Sequence, residues 1–185
     1  MPIWAWIVIV AVVVALFVAA WAAWKRRRTH GLRDQFGPEY ERAVTESGTR
    51  RQGESELEAR RKRLRELDIR PLSPQSRQRY AGSWQKTQAR FVDSPSAAVR
   101  EADALILTVM RERGYPMENF EQRSADISVD HPAVVESYRA AHGISMANDQ
   151  GRASTEDLRQ AMVHFRALFD NLIDTRETSH VEARR

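Results

Sequence analysis

Residues 3–28 read IWAWIVIVAVVVALFVAAWAAWKRRR, an uninterrupted run of 22 apolar residues from Ile3 to Trp24 closed by Lys25, Arg26, Arg27 and Arg28. At about 1.5 Å of rise per residue, such a helix reaches roughly 33 Å, enough for a hydrocarbon core of about 30 Å. The sequence therefore predicts one N-terminal transmembrane helix over residues 1–24. Four of the five tryptophans, Trp4, Trp6, Trp21 and Trp24, stand at the two ends of the run, where an interface belt of amphipathic rings is expected. A cleavable signal peptide competes through Ala20-Trp21-Ala22, but the run has no basic segment before it and exceeds the usual length of a signal core.

The basic residues lie on one flank only, which predicts an N-terminus outside an inner (plasma) membrane and a cytoplasmic remainder. Lys25, Arg26, Arg27 and Arg28 are then the expected contacts to anionic lipid. Ala11, Ala15, Ala19 and Ala23 recur every fourth residue, a small-residue stripe that offers a helix–helix face for a homodimer.

Past residue 24 there are 161 residues, enough for one domain with a real core. Residues 25–90 carry 18 basic against 9 acidic residues and residues 91–185 carry 11 against 16, so the chain's surplus of +4 is concentrated next to the apolar run. With no cysteine, disulfides, thiolate metal sites and cysteine nucleophiles are excluded.

Five of the seven prolines, Pro38, Pro74, Pro95, Pro116 and Pro132, stand where a new helical pattern begins, as the fixed φ of proline favours. A basic connector is expected over 25–37, with Gly31 and Gly37 interrupting any helix out of the anchor. A mostly polar helix follows from Pro38 to about Leu67, broken at Gly48 or Gly53. Tyr80, Trp84, Thr87 and Phe91 mark one face of a helix from Pro74, and Ala98, Ala102, Leu105, Ile106, Val109 and Met110 mark one from Pro95 to Arg113. These two are expected to form the central hairpin, with Ser73 and Ser94 as N-caps. A short helix near 117–127 and another over 132–142 ending at Gly143 come next, followed by a loop over 144–153. A last helix starts from the Ser154–Asp157 capping box and carries Leu158, Met162, Phe165, Leu168, Phe169, Leu172 and Ile173. The fold class is all-α: the anchor, a helical bundle of about five to six helices over 38–174, and a disordered tail over 175–185.

No two histidines have the i,i+4 spacing of a helical zinc site, and the lone Glu177-x-x-His180 lacks the second unit that a di-metal bundle needs. No metal or cofactor is therefore expected. The densest group of titratable residues is Glu121, Arg123, Asp126, Asp130, His131 and His142, a candidate polar pocket that an enzyme or small-ligand receptor would use. No nucleophile, glycine-rich anion loop or metal spacing accompanies it, and helix capping with local ion pairs accounts for the same residues. Arg60-Arg61-Lys62-Arg63 suggests a nucleic-acid contact within 50–79, but the acids at 54, 56, 58 and 66 read as a salt-laced helix. Pro71-Leu72-Ser73-Pro74 reads as a linker ending in a cap.

The segments RDQFGPEY (33–40), IRPL (69–72), RFVD (90–93), RGYP (113–116), FEQRSADISVDHP (120–132) and STEDLR (154–159) resemble a family of uncharacterised bacterial proteins with one N-terminal span and a helical domain. The resemblance implies that architecture and brings no activity, cofactor or catalytic residue. The sequence thus points to a membrane-anchored adaptor, scaffold or regulator that binds another protein. The alternatives are a tethered enzyme or receptor using the Glu121–His142 region and a nucleic-acid tether through 50–79.

Overall fold

The computed structural model describes residues 3–174, with the side chains of 12–23 and 26–174. The tail over 175–185, with Glu177 and His180, and the side chains of Trp4, Trp6, Ala11, Trp24 and Lys25 lie outside the described residues. Eight helices are described: α1 (Ile3–Phe36), α2 (Pro38–Glu46), α3 (Arg50–Glu66), α4 (Pro74–Arg90), α5 (Pro95–Arg113), α6 (Phe120–Asp130), α7 (Val135–Asp149) and α8 (Thr155–Ile173). The all-helical class holds among these residues.

The transmembrane anchor is corrected. Among the described residues, no helix is long and apolar enough to cross a membrane. The apolar run makes up the first part of α1. Beyond it, α1 runs unbroken through Arg26, Arg27, Arg28 and Arg33 to Phe36, so its second half is charged. A single-pass membrane protein is therefore not supported, and the expected topology has no span among the described residues to rest on. The connector over 25–37 is helix as well: Gly31 sits inside α1, and the break comes at Gly37, with φ of 51°.

The chain divides into two compact units, Met1–Leu57 and Glu58–Arg185, with the boundary inside α3. In the first unit, Leu32, Phe36, Tyr40, Ala43 and Leu57 are buried. Gly48, with φ of 72°, turns α2 into α3. Gly53 lies inside α3, where a Cβ would stand 2.8 Å from the Cα of Val44, so its missing side chain lets the two backbones approach.

The second unit is built around α8, which packs on both α7 and α5, while α4 covers α5. The centre is thus α8 rather than the α4–α5 hairpin alone. Phe165, Leu168 and Phe169 of α8 are buried with Ile106 and Met110 of α5 and Tyr138 of α7, and the rings of Trp84 and Phe169 stack at 4.8 Å. Two caps form as expected: the Ser73 hydroxyl accepts from the Ser76 N–H, and Ser154 and Asp157 complete a capping box. Ser94 makes no side-chain cap bond. Nor does Gly143 end α7. The helix runs on to Asp149 because Ser145 and Asn148 are buried, and the Asn148 amide donates to the Ser96 carbonyl at 3.1 Å.

Candidate functional site

The six residues of the expected polar pocket are brought to three different contacts within the second unit. In the first, α6 meets α7. The His142 ring stacks on Phe120 at 3.7 Å and 12°, and the Arg123 Nε donates to the Tyr138 hydroxyl at 3.3 Å. Burial lowers the pKa of His142, and the charge of Asp103 on α5 pulls it partly back. Burial likewise raises Asp103, against the favourable charges of His142 and Arg123. Glu121 is exposed and reaches this group only through its charge on His142.

The second contact centres on the end of α6. Asp130 accepts from the Tyr115 hydroxyl at 3.2 Å, and the buried His131 ring places Nε2 3.4 Å from Nη1 of Arg113. Burial, then the Asp130 charge, pushes the Tyr115 phenol well above its ordinary value. Tyr115 thus stays a hydrogen-bond donor at any physiological pH.

The third contact is Asp126, whose side chain is fully buried. Its Oδ1 accepts from the Gln122 amide at 3.0 Å and stands 3.4 Å from Nε of Arg63, while Oδ2 has no hydrogen-bond partner among the described residues. Burial raises its pKa, and the Gln122 bond and the Arg63 charge only partly oppose this. The Ser124 hydroxyl is also buried without a partner. Arg63 pairs in addition with Glu118 at 3.2 Å, and Arg60 reaches Ser128 at 3.5 Å. Part of the basic run proposed for nucleic acid is therefore spent on contacts within the fold.

The sequence reading missed Arg113, Tyr115 and Asp103. Arg113 was legible: it continues the buried stripe of α5 one turn beyond Val109 and Met110, where an apolar residue is expected. Asp103 follows Ala102 of the same stripe and carries no comparable mark. Among the described residues, no three His, Asp or Glu side chains are grouped to hold a metal ion.

The remaining expected site residues lie on α1. Arg26, Arg27 and Arg28 are exposed, as are Ala15, Ala19, Trp21 and Ala23. Compared with known protein families, curated proteins and solved structures, the chain finds no match in any of the three.

Proposed function

We propose that this is a protein-interaction module, an adaptor, scaffold or regulator that works by holding a protein partner. The observation that carries this reading is the state of α1. Val12, Val13, Val14, Leu16, Phe17, Val18 and Trp21 are each more than half exposed, Phe17 at 76%. Because residues 12–21 are all apolar and follow one another on one helix, they form an apolar surface on every side of it, and contiguous exposed apolar surface of this kind marks an interaction site. A helix apolar all round is stable when its surface is enclosed. The partner supplies that enclosure.

The polar residues support the same reading by their use. Those of the Glu121–His142 group divide among three contacts that stack, cap or pair helices, instead of facing one space where a substrate could sit. An enzyme needs its acid, base and binding groups around one reacting atom.

The test is photo-crosslinking in cells of the full chain, with a benzophenone side chain at position 17 and, as a control, at the exposed position 159 on α8. An adduct of discrete mass that contains a second polypeptide and forms only from position 17 supports the reading. Labelling of lipid alone, or equal adducts from both positions, would overturn it. An adduct of twice the chain's mass would identify the partner as a second copy.

A further inference from the structure

Arg113 is 3% exposed and makes three polar contacts: Nη1 donates to the Leu172 carbonyl at 3.1 Å, Nε reaches the Arg70 carbonyl at 3.4 Å, and Nη1 stands 3.4 Å from Nε2 of His131. The Tyr115 ring lies 5.5 Å from its guanidinium carbon. No carboxylate among the described residues pairs with it. A buried cation is normally matched by an anion, because carbonyl dipoles and a ring face replace only part of its lost hydration.

The same residue lines an open depression of about 310 Å³, together with Asp68, Arg70, Glu112 and Gly114. Gly114 shapes this wall. Its φ of 95° ends α5, and a Cβ there would meet the Asp68 carbonyl oxygen at 2.5 Å, so only glycine lets residues 68–70 close over the helix end. The Arg70 N–H then donates to the Arg113 carbonyl at 2.8 Å and fixes the approach.

The charges of the depression do not cancel evenly. Asp68 is paired with Arg70, and Glu112 accepts from Arg79 at 2.9 Å and from the Tyr80 hydroxyl. Both rim carboxylates thus have partners, while the guanidinium in the wall has no anion among the described residues. We propose that this depression binds a small oxyanion, a carboxylate or a phosphate, against Arg113. With Nε and Nη1 engaged by the Arg70 and Leu172 carbonyls and His131, Nη2 is the donor left for such a group, and the guanidinium charge adds to its pull. Arg70, free to turn from Asp68 to the ligand, closes over it. Through Arg113 the bound anion is linked to the last turn of α8, whose carbonyl the same group holds.

The test is an NMR titration of the full chain in mild detergent, following the Gly114 amide and the Nε–H signals of Arg113 and Arg70. Sodium acetate and sodium phosphate are added separately against sodium chloride at matched ionic strength. Saturable shifts at these groups with acetate, phosphate or both, and none with chloride, support the site and tell which source fits. Linear drift that is equal in all three salts would overturn it. Asp68→Asn releases Arg70 without touching the core and should tighten binding roughly two- to fivefold, the weight of one exposed charge pair. Arg70→Glu should weaken it by at least as much. Affinity indifferent to both rim substitutions would also sink the proposal, whatever the fate of Arg113 variants in folding.

Discussion

The hydroxyl of Tyr40 on α2 donates to Oε1 of Glu54 on α3 at 2.8 Å, and the same oxygen also accepts from Thr29 of α1 and Nε of Arg50, each at 2.9 Å. One carboxylate oxygen thus gathers donors from all three helices of the first unit. Burial by itself would push the Glu54 pKa up, but the bonds from Tyr40, Arg50 and Thr29 outweigh it and hold the carboxyl below its ordinary 4.5. A folded value below the unfolded one means that the stabilisation is fully present above about pH 4.5 and is lost as the pH falls through the folded value. Glu54→Gln should remove that acid dependence and destabilise the first unit by about 1.5–3 kcal/mol, the range for hydrogen bonds to a charged group. Hydrogen exchange of the α2 amides at pH 7 and pH 4 measures both effects. Equal protection in wild type and variant at pH 7 would contradict the assignment.

Two glycines inside helices should respond with opposite signs. At Gly53 a Cβ would meet backbone atoms of Val44 at 2.8 and 2.9 Å, and backbone cannot rotate aside. Gly53→Ala should therefore cost about 1–3 kcal/mol through overpacking. At Gly82, inside α4, nothing lies within 4 Å of the added atom. Gly82→Ala should stabilise by about 0.5–1 kcal/mol, the ordinary helix preference of alanine. Urea denaturation of the two variants gives the comparison, and stabilisation by both would refute the close approach of α2 and α3.

The core of the second unit can be probed through its one tryptophan. The Trp84 ring stacks on Phe169 at 4.8 Å with 18° between the planes, and both residues are buried. Removing a buried aromatic side chain typically costs about 3–5 kcal/mol. Phe169→Ala should show a loss of that size in chemical denaturation, with Trp84 emission shifted to the red because water enters the vacated space. Unchanged emission would mean that the two rings do not share one packed site.

What the sequence revealed follows the range of the forces involved. Local signals were legible: Ser154 with Asp157 three residues on, Ser73 before Pro74, and the apolar stripe of α5 all depend on neighbours within about one or two helical turns. Gly143 misled because its helix cost of about 1 kcal/mol is small beside what α7 gains from packing. That gain comes from buried Ser145 and from the Asn148 bond to Ser96, a partner 52 residues away. The expected connector misled as well, because Gly31 does not interrupt the helix and α1 continues to Phe36, with the break at Gly37. The titratable cluster is dense along the chain, yet different turns of α6 face different neighbours. Asp126 meets Arg63, Asp130 meets Tyr115, and Phe120 meets His142.

Asp126 gives the sharpest test of these assignments, since it is buried with one oxygen unpartnered. Its folded pKa is raised by burial above its ordinary 3.8, so the folded state binds the proton more tightly than the unfolded chain does. The sign is opposite to that of Glu54. The favourable contribution is complete below about pH 3.8 and is lost as the pH rises through the folded value, leaving a buried charge that only Gln122 and Arg63 oppose. Asp126→Asn keeps the shape and the oxygen that accepts from Gln122, and it removes the charge. Arg63 retains Glu118 as a partner. The amide nitrogen takes the unpartnered place of Oδ2, so the gain comes from the lost charge alone, and the variant should be more stable than wild type at pH 7 by about 1 kcal/mol or more. Other carboxylates titrate with the opposite sign, so the quantity to follow is the difference between variant and wild type in urea at pH 7 and pH 4. That difference should shrink on acidification. A variant less stable at pH 7, by an amount that does not change with pH, would show that the Arg63 ion pair outweighs the burial of Asp126.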